Sequence, residues 1–369
     1  MSIYFLISLY YALVCEVVSL NPLYTCPKSH ITSFYYKENH NICARHGIIH
    51  LNTKRSKLIS SELPNDEDMA SNSGLNGLYR PRSALARALY EKQRNDRHLQ
   101  EFDQLEWYRV DKSLLSEDLQ KKFIQLHPDE ETKQFLSSSI DKSSWVWTQI
   151  WYMLAKAVLK HFWTITDING WLGRGSMFVL SEAQALKLLN TATRTRMTGL
   201  SSLVDVGAGD GEVSRRFAHI FDERYATELS ASMRKSLSSK GFLLLDTENW
   251  WQGQSFDCVC MLNLLDRCAR PRSMLREARS AIRDGGVLLL ALVLPFKPYV
   301  EVTSDHKPEE RLPITGATFE EQAASFIKFM KDEIGFELSS WSRTPYLCEG
   351  DFAQAYYWLD DSVYVFTPI

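Results

Sequence analysis

The stretch that decides the fold is Leu203-Val204-Asp205-Val206-Gly207-Ala208-Gly209-Asp210-Gly211-Glu212-Val213. Apolar residues lead into three alternating glycines, and a helical pattern begins directly after them. This succession is typical of a buried parallel strand that turns sharply into a helix within an α/β sheet. Because glycine has no Cβ, the backbone of such a turn can pass close beneath a ligand. The stretch therefore predicts a ligand-binding strand–turn–helix unit.

The glycine spacing indicates which class of ligand the turn holds. It reads G-x-G-x-G, whereas the dinucleotide fingerprint reads G-x-G-x-x-G. A carboxylate at Glu212 would repel a pyrophosphate but suits a cationic cofactor, and Asp205 and Asp210 add two further carboxylates. S-adenosylmethionine, which carries a sulfonium and an ammonium group, is the predicted cofactor. A nicotinamide or flavin site and an ordinary turn without a ligand remain as alternatives.

Composition narrows the classes of partner. The chain has 369 residues and a net charge of −3, and no block rich in Lys or Arg stands out. A polyanion partner is therefore not expected, and nucleic acid is disfavoured as a substrate. The seven cysteines contain no C-x-x-C pair, and we predict no metal site. A monomer is expected.

The amino-terminal segment has the character of a targeting sequence. Residues Ser2 to Cys15 are uncharged and mostly apolar, which is short for a membrane span but fits the core of a signal peptide. Cleavage would follow Ser19, although no Lys or Arg precedes the run. The expected location is the endoplasmic reticulum or another endomembrane compartment, with weak membrane association through this segment. A mitochondrial address and an ordinary apolar start remain open.

Patterning divides the chain into four parts. A polar, aperiodic stretch follows the first segment, a helical pattern then begins, and the sheet pattern starts near Leu200. The predicted parts are a signal-like segment (1–20), a polar and partly disordered linker (21–107), a helical extension with a lid (108–199) and an α/β core (200–369).

A glycine-rich loop lies within the helical extension. Gly170, Gly173 and Gly175 surround Arg174, so a cation sits in a conformationally permissive segment. One interpretation is a tight connection with a solvent-facing arginine. The other is a lid in which Arg174 or nearby backbone amides meet the carboxylate of the cofactor.

The core has the pattern of a Rossmann-like sheet with seven strands. The predicted strands are 202–206, 224–227, 242–245, 256–261, 287–294, 336–341 and 362–367. Ligands of open α/β sheets bind outside the carboxyl ends of the strands, at the point where the strand order reverses. Glu228 at the end of the second strand is placed to accept hydrogen bonds from ribose hydroxyls, with a simple helix cap as the alternative. Asn263 and Asp266 follow the fourth strand, where a methyl group would be transferred.

Two further loops are predicted on the same rim. Residues Pro295 to Glu301 form a rigid aromatic loop that contains Phe296. Residues Arg343 to Asp361 read as a long, aromatic and acidic loop, and loops of that length are usually functional.

Six motifs together resemble the methyltransferase-like protein 9 family, also called DREV, from about Tyr108 to the carboxyl terminus. They are Leu172-Gly173-Arg174-Gly175-Ser176-Met177-Phe178, Val206-Gly207-Ala208-Gly209-Asp210-Gly211-Glu212-Val213, Tyr225-Ala226-Thr227-Glu228-Leu229-Ser230, Asn263-Leu264-Leu265-Asp266-Arg267-Cys268, Ala291-Leu292-Val293-Leu294-Pro295-Phe296 and Pro345-Tyr346-Leu347-Cys348-Glu349-Gly350-Asp351. The resemblance implies a seven-strand S-adenosylmethionine-dependent methyltransferase fold. It also implies methylation of the N1 (pros) nitrogen of histidine in His-x-His motifs of target proteins.

The resemblance also implies roles for individual residues. The cofactor contacts of the family map onto Glu228, Asn263 and Tyr346, and its glycine motif maps onto Asp205 to Gly211. Asp266 matches the acid on the substrate side.

Chemistry extends these roles to the acceptor histidine. A carboxylate that binds N3–H of a neutral imidazole leaves N1 free to accept the methyl group, and Asp266 is our candidate, with Asn263 beside it. The ring would pack against an aromatic rim of Phe296, Tyr346, Tyr356 and Tyr357. A second histidine would dock in the acidic loop, where Glu349, Asp351, Asp360 and Asp361 are available. A methyltransferase for a small molecule and a non-catalytic scaffold with the same fold remain as rival interpretations.

Overall fold

The computed structural model describes residues 83–161, 168–169, 172–192, 201–300, 303 and 305–369. The predicted signal-like segment and most of the predicted linker lie outside these residues, as does part of the glycine-rich loop. Among the described helices, none is both long enough and apolar enough to cross a membrane.

Helices form the amino-terminal side of the described chain. Their bounds are α1 Ala84–Glu101, α2 Glu117–Lys122, α3 Glu130–Ser144, α4 Val146–Leu159 and α5 Glu182–Ala192, with 3₁₀ turns at Gln104–Tyr108 and Lys112–Leu114. Side chains of Ser83, Ser116 and Asp129 accept hydrogen bonds from the first turns of α1, α2 and α3, which explains where these helices begin. Helix α1 lies inside the stretch that the sequence assigned to the linker.

The core is one mixed sheet of eight strands. Their bounds are β1 Met177–Phe178, β2 Ser202–Val206, β3 Glu223–Thr227, β4 Leu243–Leu244, β5 Phe256–Leu262, β6 Ile282–Val293, β7 Phe336–Glu349 and β8 Tyr356–Pro368. The order across the sheet is β1-β7-β8-β6-β5-β2-β3-β4. Strand β8 runs antiparallel to both of its neighbours, and β2 to β6 pair in parallel. The predicted Rossmann-like sheet of seven strands is confirmed, and the two-residue β1 is added at its edge.

From β2 onward, four described helices lie between the strands of the sheet. They are α6 Arg215–Ala218, α7 Ala231–Ser239, α8 Pro271–Ala281 and α9 Phe319–Phe329, which continues as a π-helical turn at Met330–Ile334. Helix α6 is shorter than the predicted range 211–219, because turns occupy the residues after the glycines. Strand β6 begins five residues earlier than predicted, because Ile282 already pairs with Phe256 of β5; an irregularity with Gly285 at φ +78° follows before regular pairing resumes at Val287.

The order of the strands in the sheet determines where the ligand site lies. Chain progression runs outward from β2 through β3 to β4, then returns to β5 on the other side of β2. The carboxyl ends of β2 and β5 therefore border the crevice at which the order reverses, the usual ligand position in such sheets. Register pairs Asp205 of β2 with Cys260 of β5, so Asn263 lies just beyond this level.

The largest correction concerns residues 343–361. The sequence predicted a long loop, but β7 and β8 continue through most of this segment as a hairpin and turn only between Glu349 and Tyr356. Charged residues had suggested solvent exposure. In the hairpin, Asp361 is fully buried and Asp360 pairs with Arg343 at 2.7 Å. Partners distant in sequence thus permit a strand where the local composition suggested a loop.

Candidate active site

The glycine turn is shaped by backbone conformation. Gly207 has φ +70° and Gly209 has φ +57°, in the left-handed region that favours glycine. A Cβ on Gly207 would lie 2.6 Å from Cδ1 of Leu264, whereas a Cβ on Gly209 would meet no atom within 4 Å. The turn is therefore packed tightly at Gly207 and open above Gly209.

Glu228 is attached to this turn. Its Oε2 accepts a hydrogen bond from Gly209 N at 2.9 Å, and its Oε1 accepts one from Ser230 N at 2.8 Å. Ser230, and not Glu228, caps the following helix, so the alternative interpretation as a helix cap does not hold. An ionised carboxylate has about four lone-pair positions, so two bonds leave capacity for ligand hydroxyls.

Electrostatics beneath the turn favour a cationic ligand. Asp205 is buried at the end of β2, where burial raises its pKa to about 7, a Ser214 hydrogen bond opposes the shift, and Glu228 adds to it. A cation placed nearby would offset both effects.

Glu212, from which the sequence argument began, has a different role. It pairs with Lys240 Nζ at 2.7 Å and with Arg215 Nη2 at 2.9 Å. Its charge is therefore compensated within the protein, and the preference for a cation depends on Asp205 and Glu228. Asp210 lies between them in sequence, and its carbonyl accepts a bond from Lys240 Nζ at 2.6 Å.

Asn263 begins the loop after β5 in an unusual conformation. Its φ is +59°, and its backbone N–H donates to Ala291 O at 3.0 Å. Its side-chain Nδ2 donates to Asp361 Oδ2 at 2.8 Å. This contact joins the end of β5 to β8, two strands away in the sheet.

Asp266 lies three residues further along and is buried. Its Oδ2 is 3.1 Å from Arg267 Nε, and its backbone carbonyl accepts a bond from Tyr299 N at 2.7 Å. Burial raises the pKa of Asp266, and Arg267 opposes that shift. The aromatic loop after β6 is thereby held against Asp266.

Three acceptor oxygens in this region have no donor among the described residues. They are buried atoms of separate side chains: Asn263 Oδ1, Asp266 Oδ1 and Asp361 Oδ1. Buried polar atoms usually have partners. Ten other buried side-chain atoms of the described residues also lack one, and these three differ in that they belong to residues at or bonded to the loop after β5, where a bound group would supply donors. An acceptor-rich cluster of this kind fits an N–H donor on a substrate.

The sequence interpretation had included Asp361 only among the residues of a supposed acidic loop. Leu359, Asp361 and Val363 alternate along β8, and all three are buried. This two-residue period is a sequence signal that would have placed Asp361 on the inner face of a strand.

Tyr346 lies on the same face of the hairpin as Asp361. It stands opposite Leu359, two positions along β7 from Thr344, which is the partner of Asp361. Its hydroxyl contacts Met177 Sδ, and burial raises its pKa well above the usual value. Phe296 is half-buried, with its backbone N–H bound to Gln322 Oε1 at 2.9 Å. The predicted roles of these two residues in binding stay predictions.

Arg174 and Glu349 are placed otherwise than the sequence suggested. Arg174 Nη1 lies 2.9 Å from Glu349 Oε1, and Arg174 Nη2 donates to Gly350 O at 2.8 Å. Both side chains are buried, at 8% and 1% exposed. Arg174 is therefore not solvent-facing. Glu349 alternates with Tyr346 and Cys348 along β7 and therefore points to the opposite face, where it lines a cavity together with Lys142 and Ser176. Its contact with a second histidine stays a prediction.

Asp351 is engaged at the hairpin turn. Its Oδ1 accepts hydrogen bonds from Tyr357 OH at 2.9 Å and from Ala353 N at 2.8 Å. These bonds fix the turn, and contact of Asp351 with a substrate stays a prediction, as does contact of Arg174 with the cofactor.

Fold and site together define a class: a Rossmann-like methyltransferase, with an acid-lined glycine turn beside the reversal of strand order. The DREV methyltransferase family matches residues 107–368. The chain belongs to this family and is a methyltransferase, with S-adenosylmethionine as its cofactor.

Solved structures with a similar fold are distant in sequence. A TehB-like S-adenosylmethionine-dependent methyltransferase from Corynebacterium glutamicum is 13% identical, covers 50% of this chain and 86% of its own, and has a TM-score of 0.32. The magnesium protoporphyrin IX methyltransferase of Synechocystis is 19% identical, covers 48% and 74%, and has a TM-score of 0.30. A glycopeptide N-methyltransferase complexed with sinefungin is 16% identical, covers 51% and 87%, and has a TM-score of 0.32.

Proposed function

We propose that the chain transfers the methyl group of S-adenosylmethionine to the N1 nitrogen of histidine in His-x-His motifs of target proteins. The observation that carries this proposal is Asp266, a buried carboxylate with one oxygen lacking a donor, placed three residues after Asn263 at the crevice. The methyltransferase class rests on family membership. The choice of histidine rests on the chemistry of this carboxylate and on the resemblance described above.

A neutral imidazole carries one N–H and one free lone pair, and the lone pair must point at the methyl group for transfer. Asp266 Oδ1 would accept the bond from N3–H, which fixes the tautomer with its lone pair on N1. The cofactor supplies a methyl carbon activated by the adjacent sulfonium. As N1 takes up the methyl group, positive charge develops on the ring, and the Asp266 carboxylate stabilises it.

Arg267 helps to keep Asp266 in the required ionic form. Burial raises the pKa of Asp266, which favours the neutral acid, while Arg267 at 3.1 Å favours the carboxylate. A neutral acid could donate to an imidazole lone pair and would then block it. The ion pair thus supports the acceptor role of Asp266.

A peptide series tests the proposal. The purified chain and cofactor are incubated with a His-x-His peptide and with peptides in which either or both histidines are alanine, and methylation is measured by mass spectrometry. The expected result is methylation that requires the His-x-His motif. Asp266→Ala should lower the rate by about 100-fold or more, since it removes a positioned acid–base partner, while cofactor binding measured by calorimetry is retained.

Two outcomes would contradict the proposal. Full activity of Asp266→Ala on the His-x-His peptide would remove Asp266 from the reaction. Cofactor binding by the wild-type chain without methylation of the peptide would favour the rival interpretation, a methyltransferase for a small molecule.

A further inference from the structure

We propose that Asp361 is a positioning residue, which fixes the side-chain amide of Asn263 so that its Oδ1 faces the reacting groups. The proposal deepens the function proposed above and rests on it for the identity of the substrate. It assigns a role to a buried carboxylate that the mechanism through Asp266 does not use.

The backbone of Asn263 is fixed, but its side-chain amide can still rotate. The left-handed conformation and the bond from its N–H to Ala291 O fix where the side chain starts. The amide can still rotate by half a turn, which exchanges its NH₂ and oxygen ends while keeping the same shape. Which end faces the crevice decides whether Asn263 donates or accepts there.

Asp361 determines which end of the Asn263 amide faces the crevice. It lies in β8 between Val293 of β6 and Thr344 of β7, with no solvent exposure. Above its pKa, the Asp361 side chain is a carboxylate that only accepts hydrogen bonds, so the Asn263 Nδ2 then points at Asp361 Oδ2, the arrangement seen at 2.8 Å. The reversed amide would place oxygen against oxygen, and the Asp361 carboxylate would keep only its backbone donors at Ser362 and Leu292.

The consequence is a second acceptor beside Asp266. Asn263 Oδ1 is buried and lacks a donor within the described part of the chain. Held in this orientation, it accepts a hydrogen bond from an N–H group in the crevice. Reversal of the amide would present a donor instead and would repel that group.

The charges around Asp361 make this orientation depend on pH. Burial raises the pKa of Asp361 to about 8, the bond from Asn263 opposes the shift, and Asp266 adds to it. The other titratable groups that interact with this cluster are Arg267, Tyr346, Cys348 and Tyr364.

Protonation gives Asp361 a donor of its own, so the amide is then free to reverse. Turnover should therefore fall as the pH decreases through the pKa of Asp361. A bound cationic cofactor stabilises the ionised form of Asp361, so this fall in turnover then occurs at lower pH.

Steady-state kinetics with the His-x-His peptide test the proposal. Asp361→Leu should lower kcat by about 100-fold, the scale of a misplaced reacting group, with cofactor affinity little changed. Asp361→Asn keeps an acceptor oxygen but loses the charge, so a decrease of about tenfold is expected, together with loss of the acidic limb of the pH profile. Asp360→Asn is the matched control, since Asp360 pairs with Arg343 on the opposite face of the hairpin and its substitution should leave the acidic limb of the pH profile in place.

A second measurement does not depend on turnover. The side-chain amide of Asn263 is observed by nitrogen-15 NMR and assigned through Asn263→Asp. In the wild-type chain its signals should shift as Asp361 titrates, and this shift should disappear in Asp361→Leu.

The outcomes separate the two proposals. If the wild-type chain does not methylate the peptide, the proposed function fails, and the NMR titration alone decides whether Asp361 fixes Asn263. A folded Asp361→Leu chain with wild-type kcat and pH profile overturns the positioning role. An Asn263 amide that is insensitive to Asp361 overturns it as well.

Discussion

A buried oxygen without a hydrogen-bond donor costs a fold about 1–3 kcal/mol. Asn263, Asp266 and Asp361 each carry one such atom, and all three border the reversal of strand order. Glu349 shows the contrast, since its carboxylate is paired with the guanidinium of Arg174 at 2.9 Å. At the scale of the residue, the site is therefore marked by three buried acceptor oxygens, to which a bound ligand would donate hydrogen bonds.

Glu228 provides a test of the cofactor side of the site. Glu228→Gln should weaken binding of S-adenosylmethionine about tenfold, because a neutral amide oxygen accepts ribose hydroxyls less strongly than a carboxylate. The measurement is calorimetry with S-adenosylhomocysteine, which has the same ribose.

Glu223→Gln is the matched control for that experiment. It alters the other end of β3, where Glu223 is bound to Tyr225 OH at 3.0 Å. Equal affinity of the Glu228→Gln and wild-type chains would remove Glu228 from the cofactor site.

Some elements could be predicted from their sequence and others could not. The apolar run of β2 predicted Ser202–Val206 with both boundaries correct, because a strand buried on both faces is apolar throughout. The halves of β7 and β8 next to their turn were missed, since Asp360 and Glu349 resemble loop residues until Arg343 and Arg174 are brought to them. Partners distant in sequence leave no local pattern. The glycine turn and Glu228 were predictable because short-range spacing carries their geometry.

The buried pair of Arg174 and Glu349 joins the glycine-rich loop to the hairpin, and its removal should destabilise the fold. Glu349→Ala leaves a buried guanidinium without its partner, so we expect a loss of about 3–5 kcal/mol in the free energy of unfolding. The measurement is urea denaturation of the chain without cofactor.

Glu130→Ala is the control for that loss. Glu130 pairs with Lys133 at 2.7 Å on the surface, and its removal should cost less than about 1 kcal/mol. If Glu349→Ala were as stable as Glu130→Ala, the pair would not hold the hairpin, and an open substrate site at Glu349 would again be favoured.

At the scale of the whole molecule, the site is assembled from segments that are far apart along the chain. The glycine turn follows β2, and the loop that contains Asn263 follows β5. Asp361 of β8 reaches this loop because β8 lies next to β6 in the sheet. The sequence predicted the members of the sheet, and the DREV resemblance predicted the class. The contact between Asn263 and Asp361 required the strand register itself.

The buried acids should give the molecule a characteristic dependence of stability on pH. Asp205 and Asp361 have pKa values raised to about 7 and about 8 in the folded chain. A raised pKa means that the folded state binds more protons than the unfolded state, so stability decreases as pH rises from about 4 to 8 and levels off above.

Thermal denaturation across this pH range checks the dependence. Asp361→Asn should be more stable than the wild-type chain near pH 8 by about 2 kcal/mol, since an amide needs no charge compensation. A saturating concentration of cofactor should make the stability of the wild-type chain decrease less as the pH rises. Stability that rises between pH 5 and 8 in the absence of cofactor would contradict the assignment of these buried acids.

The central claim is that Asp266 selects the N1 nitrogen of a histidine, and the position of the added methyl group tests it most directly. A His-x-His peptide is incubated with the chain and cofactor, and the methylated ring nitrogen is identified by NMR of the product. We expect methylation at N1 alone, and loss of that product in Asp266→Ala while cofactor binding persists. Methylation at N3, or N1 methylation at an undiminished rate in Asp266→Ala, would contradict the account.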